Sequence, residues 1–311
     1  MLIRCASFGF ALLVELPLAI LLALDVTTPD LWKETQVPRV EEVAHVDLSP
    51  SDATSDRIVT LETLATADGD KIDVAVSRPS GDDRRYPVMI LIGGFDTGRH
   101  IVDHVTDPGA NVVIGYGYPD IGLLKAGNRP TILRLFTAQR DAHRVPAQIA
   151  ELATWAVSQP WVDRDRISLV GVSLGAVLAP AAAHAMNAAG VSPSAVVLAD
   201  GGAGIASMIE VNLRHVTGFW RGPAAWLLGT ALRRIAPERH LSYLRGNLLL
   251  VHASSDRFIS PAAAALLDHL APNPKTVMTL PGDHVGPGEP AVMAILIATV
   301  RGWLLKVGAI N

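Results

Sequence analysis

The chain has 311 residues, half of them hydrophobic, only 18% charged, with a formal net charge of −4. Soluble domains carry roughly 25% charged residues and disordered chains are poor in apolar ones, so wholesale disorder is excluded and a core of ordinary size is available. The mild negative charge gives no reason to expect a nucleic-acid binder, which usually carries a basic stripe, and the single cysteine, Cys5, excludes an internal disulfide and a cysteine-built zinc cluster.

Residues 5–24, CASFGFALLVELPLAILLAL, form an apolar run behind Arg4. A basic residue followed by an apolar stretch is the order of an export signal, and about 20 residues suffice to span a bilayer as a helix. Glu15 and Pro17 interrupt the run, no clean small-x-small cleavage site follows it, and an acidic group at the bilayer centre costs about 2.5–3.5 kcal/mol. Segment 1–24 is therefore read as a signal or anchor, which makes the protein exported or membrane-associated. The alternative is an apolar helix packed on the protein itself or on a partner, in a cytoplasmic chain. Residues 25–56 hold eight acids, two bases and Pro29, Pro38 and Pro50, the composition of an acidic linker.

From residue 57 a regular rhythm begins. RIVTLETLA (57–65) and KIDVAVSRP (71–79) are β-rich runs joined around Asp68-Gly69, a hairpin signal. PVMILIGG (87–94) is uninterrupted and apolar, the pattern of a strand buried on both faces. NVVIGYGYP (111–119) is the next strand. Residues 132–159 have helical period, with Pro146 predicting a kink or a break into two helices. RISLVGV (166–172) is a strand leading into the alanine-rich helix 174–190. Strands follow at 194–200, 247–253 and 275–280, with helices at 261–271 and 290–308. Strands alternating with helices predict a mostly parallel sheet covered on both faces. Residues 201–246 are too long for a structureless loop in a compact domain. They are read as a helical cap over the C-terminal edge of the sheet, where such sheets bind ligands.

Gly171-Val172-Ser173-Leu174-Gly175 has the form G-x-S-x-G, and it lies between an apolar strand and a helix. That setting defines a nucleophile elbow, in which a tight turn projects the serine hydroxyl at the top of the sheet. A serine needs a base, and the base an orienting acid; in this motif class the order is Ser, acid, His. His284 in PGDHVGPG follows the strand 275–280 and is the candidate base. Asp256 in HASSDRF follows the strand 247–253 and is the candidate acid, with Asp200 and Asp283 as rivals. An oxyanion hole needs two N–H donors. Leu174, at the start of the helix, is the candidate for one; the loop after the strand 87–94 supplies the other, from Phe95 or, alternatively, Gly94. The cap carries Phe219, Trp220, Trp226, Leu227 and Leu228, which are expected to line an apolar acyl pocket. It also carries Arg214, Arg221, Arg233, Arg234, Arg239 and Arg245 against two glutamates. These arginines are read as solvated faces, or as partners of an anionic group such as an acyl-CoA thioester.

The motif LVGVSLGA, the order Ser173, Asp256, His284 and the helical insertion after VVLAD resemble the α/β-hydrolase superfamily over residues 57–308. The strand pair around TADGDKIDVAVSRP is similar to the entry of its dienelactone-hydrolase, acyl-peptidase and acyl-CoA thioesterase branches. The resemblance implies a mostly parallel eight-stranded sheet in one domain, 57–311, with a cap at about 201–246. It implies a Ser-His-Asp triad and no metal or organic cofactor. Many members have His-Gly where this chain has Gly93-Gly94. The expected function is hydrolysis of small-molecule carboxylic esters through an acyl-enzyme. Thioesterase or acyl-peptidase activity is the enzymatic alternative, and a non-catalytic, membrane-tethered binding protein on the same scaffold is the other.

Overall fold

The computed structural model describes residues 40–48, 56–66, 69–81, 84–94, 97–119, 132–214, 218–286 and 288–311. Residues 1–24, the signal or anchor of the sequence reading, lie outside them, as does Phe95. Among the described residues, no helix is long and apolar enough to cross a membrane.

The strands are β1 (Glu41–Asp47), β2 (Arg57–Ala65), β3 (Lys71–Pro79), β4 (Tyr86–Ile92), β5 (Val112–Tyr116), β6 (Val162–Val172), β7 (Ala195–Ala199), β8 (Asn247–Ala253) and β9 (Lys275–Leu280). They form one sheet in the order β1-β2-β3-β5-β4-β6-β7-β8-β9. The pairs β1/β2, β2/β3 and β3/β5 are antiparallel; every pair from β5/β4 to β8/β9 is parallel. The β2–β3 hairpin turns at Gly69, whose φ of 82° needs no Cβ penalty. Eight strands were expected and nine are present among the described residues. The additional one, β1, lies within 25–56, so the linker reading is corrected at 41–47. Its residues are exposed along their whole length. Backbone pairing to β2, rather than an apolar face, holds them in the sheet.

The helices are α1 (Ile132–Ser158), α2 (Leu174–Ala188), α3 (Ile205–Asn212), α4 (Gly218–Ala231), α5 (Pro261–Leu270) and α6 (Pro290–Lys306). A 3-10 helix, Gly98–His104, follows β4, and three short 3-10 turns link α4 to β8. Instead of breaking at Pro146, α1 runs through it. The missing N–H costs one helical bond, but Val145, Ile149, Leu152 and Ala153 bury the helix against the sheet on both sides of the proline. Tertiary packing of an apolar face outweighs a local defect.

Period-2 alternation in β4 feeds two cores. Val88, Ile90 and Ile92 face α1 and α2, whereas Met89 and Leu91 face α6 with Leu296, Val300 and Trp303. Burial on both faces explains the continuous apolar run. The consequence for the site is positional. Strands β4, β6, β7, β8 and β9 lie side by side and parallel, so the residues just past their C-terminal ends (Gly94, Ser173, Asp200, Asp256 and His284) emerge along one edge.

Candidate active site

Ser173 stands between β6 and α2 with φ 57° and ψ −118°. A side chain rarely adopts this conformation, and it persists where surrounding structure imposes it. The imposition is visible. The Ser173 N–H donates to the Ala199 carbonyl at 2.9 Å. A methyl at Gly171 would meet the Gly175 carbonyl oxygen at 2.5 Å, and one at Gly175 would collide with the carbonyl oxygen of Ile92. Helix α2 can start this close to β4 and β6 only because both positions are glycine.

The turn aims the Ser173 hydroxyl at His284. Ser173 Oγ lies 2.7 Å from His284 Nε2. On the other side of the ring, His284 Nδ1 lies 2.7 Å from Asp256 Oδ2. Both side chains are 8% exposed. Asp256 is fixed in turn: its Oδ1 accepts the N–H groups of Phe258 at 2.7 Å and Ile259 at 2.8 Å. Phe258 meets the His284 ring edge-on at 5.0 Å. The structure thus brings the three sequence candidates into one hydrogen-bonded row.

The two rival acids sit elsewhere in the same loop cluster. Asp283 points away from the imidazole. Its Oδ1 accepts the N–H groups of His284 at 2.7 Å and Arg257 at 3.2 Å, and its Oδ2 pairs with Arg257 Nε at 2.7 Å. Those backbone bonds, that of His284 first, hold its carboxyl below the usual range. Asp283 therefore clamps the loop after β8 to the loop after β9. Asp200 is buried, with its Oδ2 accepting the Val285 N–H at 2.8 Å. A ligand atom of each of Asp200, Asp256 and His284 lies within 4.8 Å of the other two. Burial pushes the Asp200 carboxyl above the ordinary range. This trio is the one candidate cation cluster among the described residues, but the imidazole already engages Ser173 and Asp256, and the chemistry of the row requires no ion.

The loop after β4 passes beside the nucleophile. A methyl at Gly94 would lie 3.6 Å from Ser173 Cβ and 3.8 Å from its Oγ. The Gly94 carbonyl is turned into its own loop, accepting the N–H groups of Thr97 and Gly98 at 3.2 Å and the Thr97 hydroxyl at 3.0 Å. The Tyr118 hydroxyl donates to the Gly93 carbonyl at 2.7 Å. Nothing in the sequence marked Tyr118, since its role depends on β5 lying beside β4. Leu174 opens α2, so its N–H belongs to the first turn, where backbone donors lack helical partners.

These groups open into a cavity of about 590 Å³, walled on its apolar side by Val177, Ile205, Met208, Ile209, Leu232 and Phe258. The expectation that Phe219, Trp220 and Trp226 line it is corrected: they are 80%, 44% and 55% exposed. Helix α4 packs on α3 through small residues, with Ala225 and Gly229 buried and Gly229 against Ala206. Its bulky aromatics therefore face outward, and α3 supplies the wall. None of the six arginines of 201–246 lines the cavity; the arginine that does is Arg257. Within the insertion, α3 is held at both ends. Glu238 accepts the N–H groups of Gly204 at 3.0 Å and Ile205 at 3.3 Å at the start of α3, where a carboxylate is favoured. Asn212 Nδ2 donates to Phe258 O at 3.0 Å, and Arg214 donates to Arg257 O.

No protein-family model matches the sequence, and no curated protein matches it. Solved structures match it in shape. An acetyl xylan esterase from a Paenibacillus species aligns with TM-score 0.62 at 16% identity, covering 92% of this chain and 94% of that one. Acetyl xylan esterase 1 from a Thermoanaerobacterium species aligns with TM-score 0.61 at 16% identity, over 86% and 91%. The carboxylesterase Cest-2923 of Lactobacillus plantarum aligns with TM-score 0.54 at 16% identity, over 81% and 98%. At such identities the likeness is one of architecture, and it agrees with the strand order and the turn at Ser173: the chain has the α/β-hydrolase fold.

Proposed function

We propose that the protein is a serine hydrolase of carboxylic esters, with Ser173 as nucleophile, His284 as base and Asp256 as orienting acid. The observation that carries this reading is the row Ser173 Oγ–His284 Nε2 and His284 Nδ1–Asp256 Oδ2, each 2.7 Å, at the wall of a largely apolar cavity. Ester-hydrolysing names among the structural neighbours support it. His284 Nε2 takes the hydroxyl proton as Oγ bonds to the acyl carbon. The carbonyl oxygen becomes an oxyanion, stabilised by the Leu174 N–H and by a donor from Gly94 or Phe95. Collapse breaks the bond to the leaving alcohol, which takes the proton from Nε2. Water then repeats the sequence on the acyl-enzyme and releases the acid. Asp256 keeps Nδ1–H pointing its way, so that Nε2 presents the lone pair.

The insertion 201–246 acts in this reading as a cap, with α3 forming the apolar side of the substrate cavity. Turnover of p-nitrophenyl butyrate together with labelling by a fluorophosphonate tests the proposal. A chain that does neither is a binding protein on this scaffold instead.

A further inference from the structure

We propose that the acyl group of the substrate is an aliphatic chain longer than acetyl, and that it threads from Ser173 past Met293 into a second chamber between the sheet and α6. The inference rests on the ester-hydrolase reading above and names its substrate class. The second chamber has a volume of about 70 Å³ and is walled by Met89, Leu91, Val170, Leu296, Val300 and Leu304. Its charged or ionisable lining residues are His104, Asp107 and Arg301, the last two paired at 3.4 Å. Ile101, Val172 and Met293 line this chamber and the site cavity alike. The two spaces therefore share a wall that begins one residue before the nucleophile.

A packed interior contains few voids larger than a water molecule. A void lined by hydrocarbon stays dry and accepts apolar guests. An acetyl group would leave most of the 590 Å³ cavity unused, and it would not reach the chamber. A flexible alkyl chain fits both. Met293 is half-buried on α6; an unbranched thioether side chain adjusts to such a guest at low cost. Each methylene moved from water into this wall raises kcat/KM by about fourfold.

The test uses the full chain with p-nitrophenyl acetate, butyrate, octanoate and dodecanoate. The expected result is a kcat/KM that climbs by about fourfold per added methylene from acetate and then falls once the chamber is full. Val300→Phe fills the chamber and should lower the octanoate-to-butyrate ratio of kcat/KM by about 15-fold, the worth of two methylenes. Val300→Ala enlarges it without crowding and should move the optimum to a longer chain. Acetate as the best wild-type substrate overturns the inference while leaving the ester-hydrolase reading intact. So does an optimum unmoved by Val300→Ala. If no ester of any length is turned over, both fall.

Discussion

Asp200 and Ser173 are the two non-glycine residues at positive φ among the described residues, at 52° and 57°. They follow directly on the neighbouring strands β7 and β6, and the Ser173 N–H bonds to the carbonyl of the residue before Asp200. Each strained backbone directs a polar group toward the His284 ring: Ser173 in direct contact, Asp200 within 4.8 Å and through the Val285 N–H. Conformations of this kind cost about 1–3 kcal/mol each. The local strain at these two positions is thus concentrated around one imidazole.

This arrangement makes Asp200 a positioning residue with a pH signature. Burial raises its carboxyl pKa in the folded state. A carboxyl raised on folding contributes stability that is full below its unfolded pKa of about 3.9 and is lost as pH rises through the folded value. Asparagine keeps an acceptor for the Val285 N–H but cannot ionise. The Tm of wild type minus that of Asp200→Asn should therefore decrease as pH rises above about 4. A difference that grows with pH contradicts the assignment.

Asp256→Asn should lower kcat by on the order of 10⁴-fold with the fold intact, because the ring loses the partner that fixes its tautomer. Asp283→Asn should cost far less, since Asp283 contacts only backbone N–H groups and Arg257. Steady-state kinetics of both variants decide the matter. A larger loss in Asp283→Asn would move the acid one residue before the histidine.

Tyr118→Phe keeps the ring and removes the hydroxyl that donates to the Gly93 carbonyl. The loop beside Ser173 loses one fixed point, so kcat should fall by about tenfold with KM little changed, as when an interaction made mainly in the transition state is weakened. An unaltered kcat would show that the loop holds its geometry without Tyr118.

Gly175→Ala should destabilise the protein severely, because its methyl would collide with the Ile92 carbonyl oxygen, which is backbone and cannot rotate aside. Overpacking of this type costs about 1–3 kcal/mol or more. Thermal melting against wild type reads it, and a Tm within a degree or two contradicts the described packing of α2 on β4.

The parallel half of the sheet and the positions of Ser173, Asp256 and His284 were legible because strong local signals coincide there. PVMILIGG is apolar without interruption since β4 is buried on both faces, and G-x-S-x-G marks a turn that only glycine permits. Strand β1 was not legible. EEVAHVD has no buried face, and its pairing to β2 is written in backbone groups that every residue shares. The wall of the cavity was misread for a related reason. Composition pointed to the aromatics of α4, but which face of α4 meets α3 is decided by Ala225 and Gly229, small residues that carry little signal on their own. The loop contacts of Asp200, Asp283 and Tyr118 link residues far apart in the chain, and no spacing rule reaches them.

The most direct test of the account is Ser173→Ala. The hydroxyl contributes the one protein atom that bonds to the substrate in the proposed reaction, and its loss removes little bulk. The account predicts a protein with wild-type Tm, no fluorophosphonate labelling, and turnover of p-nitrophenyl butyrate reduced by about 10⁶-fold. Labelling or turnover that survives the substitution at the wild-type level would contradict it and place the nucleophile elsewhere.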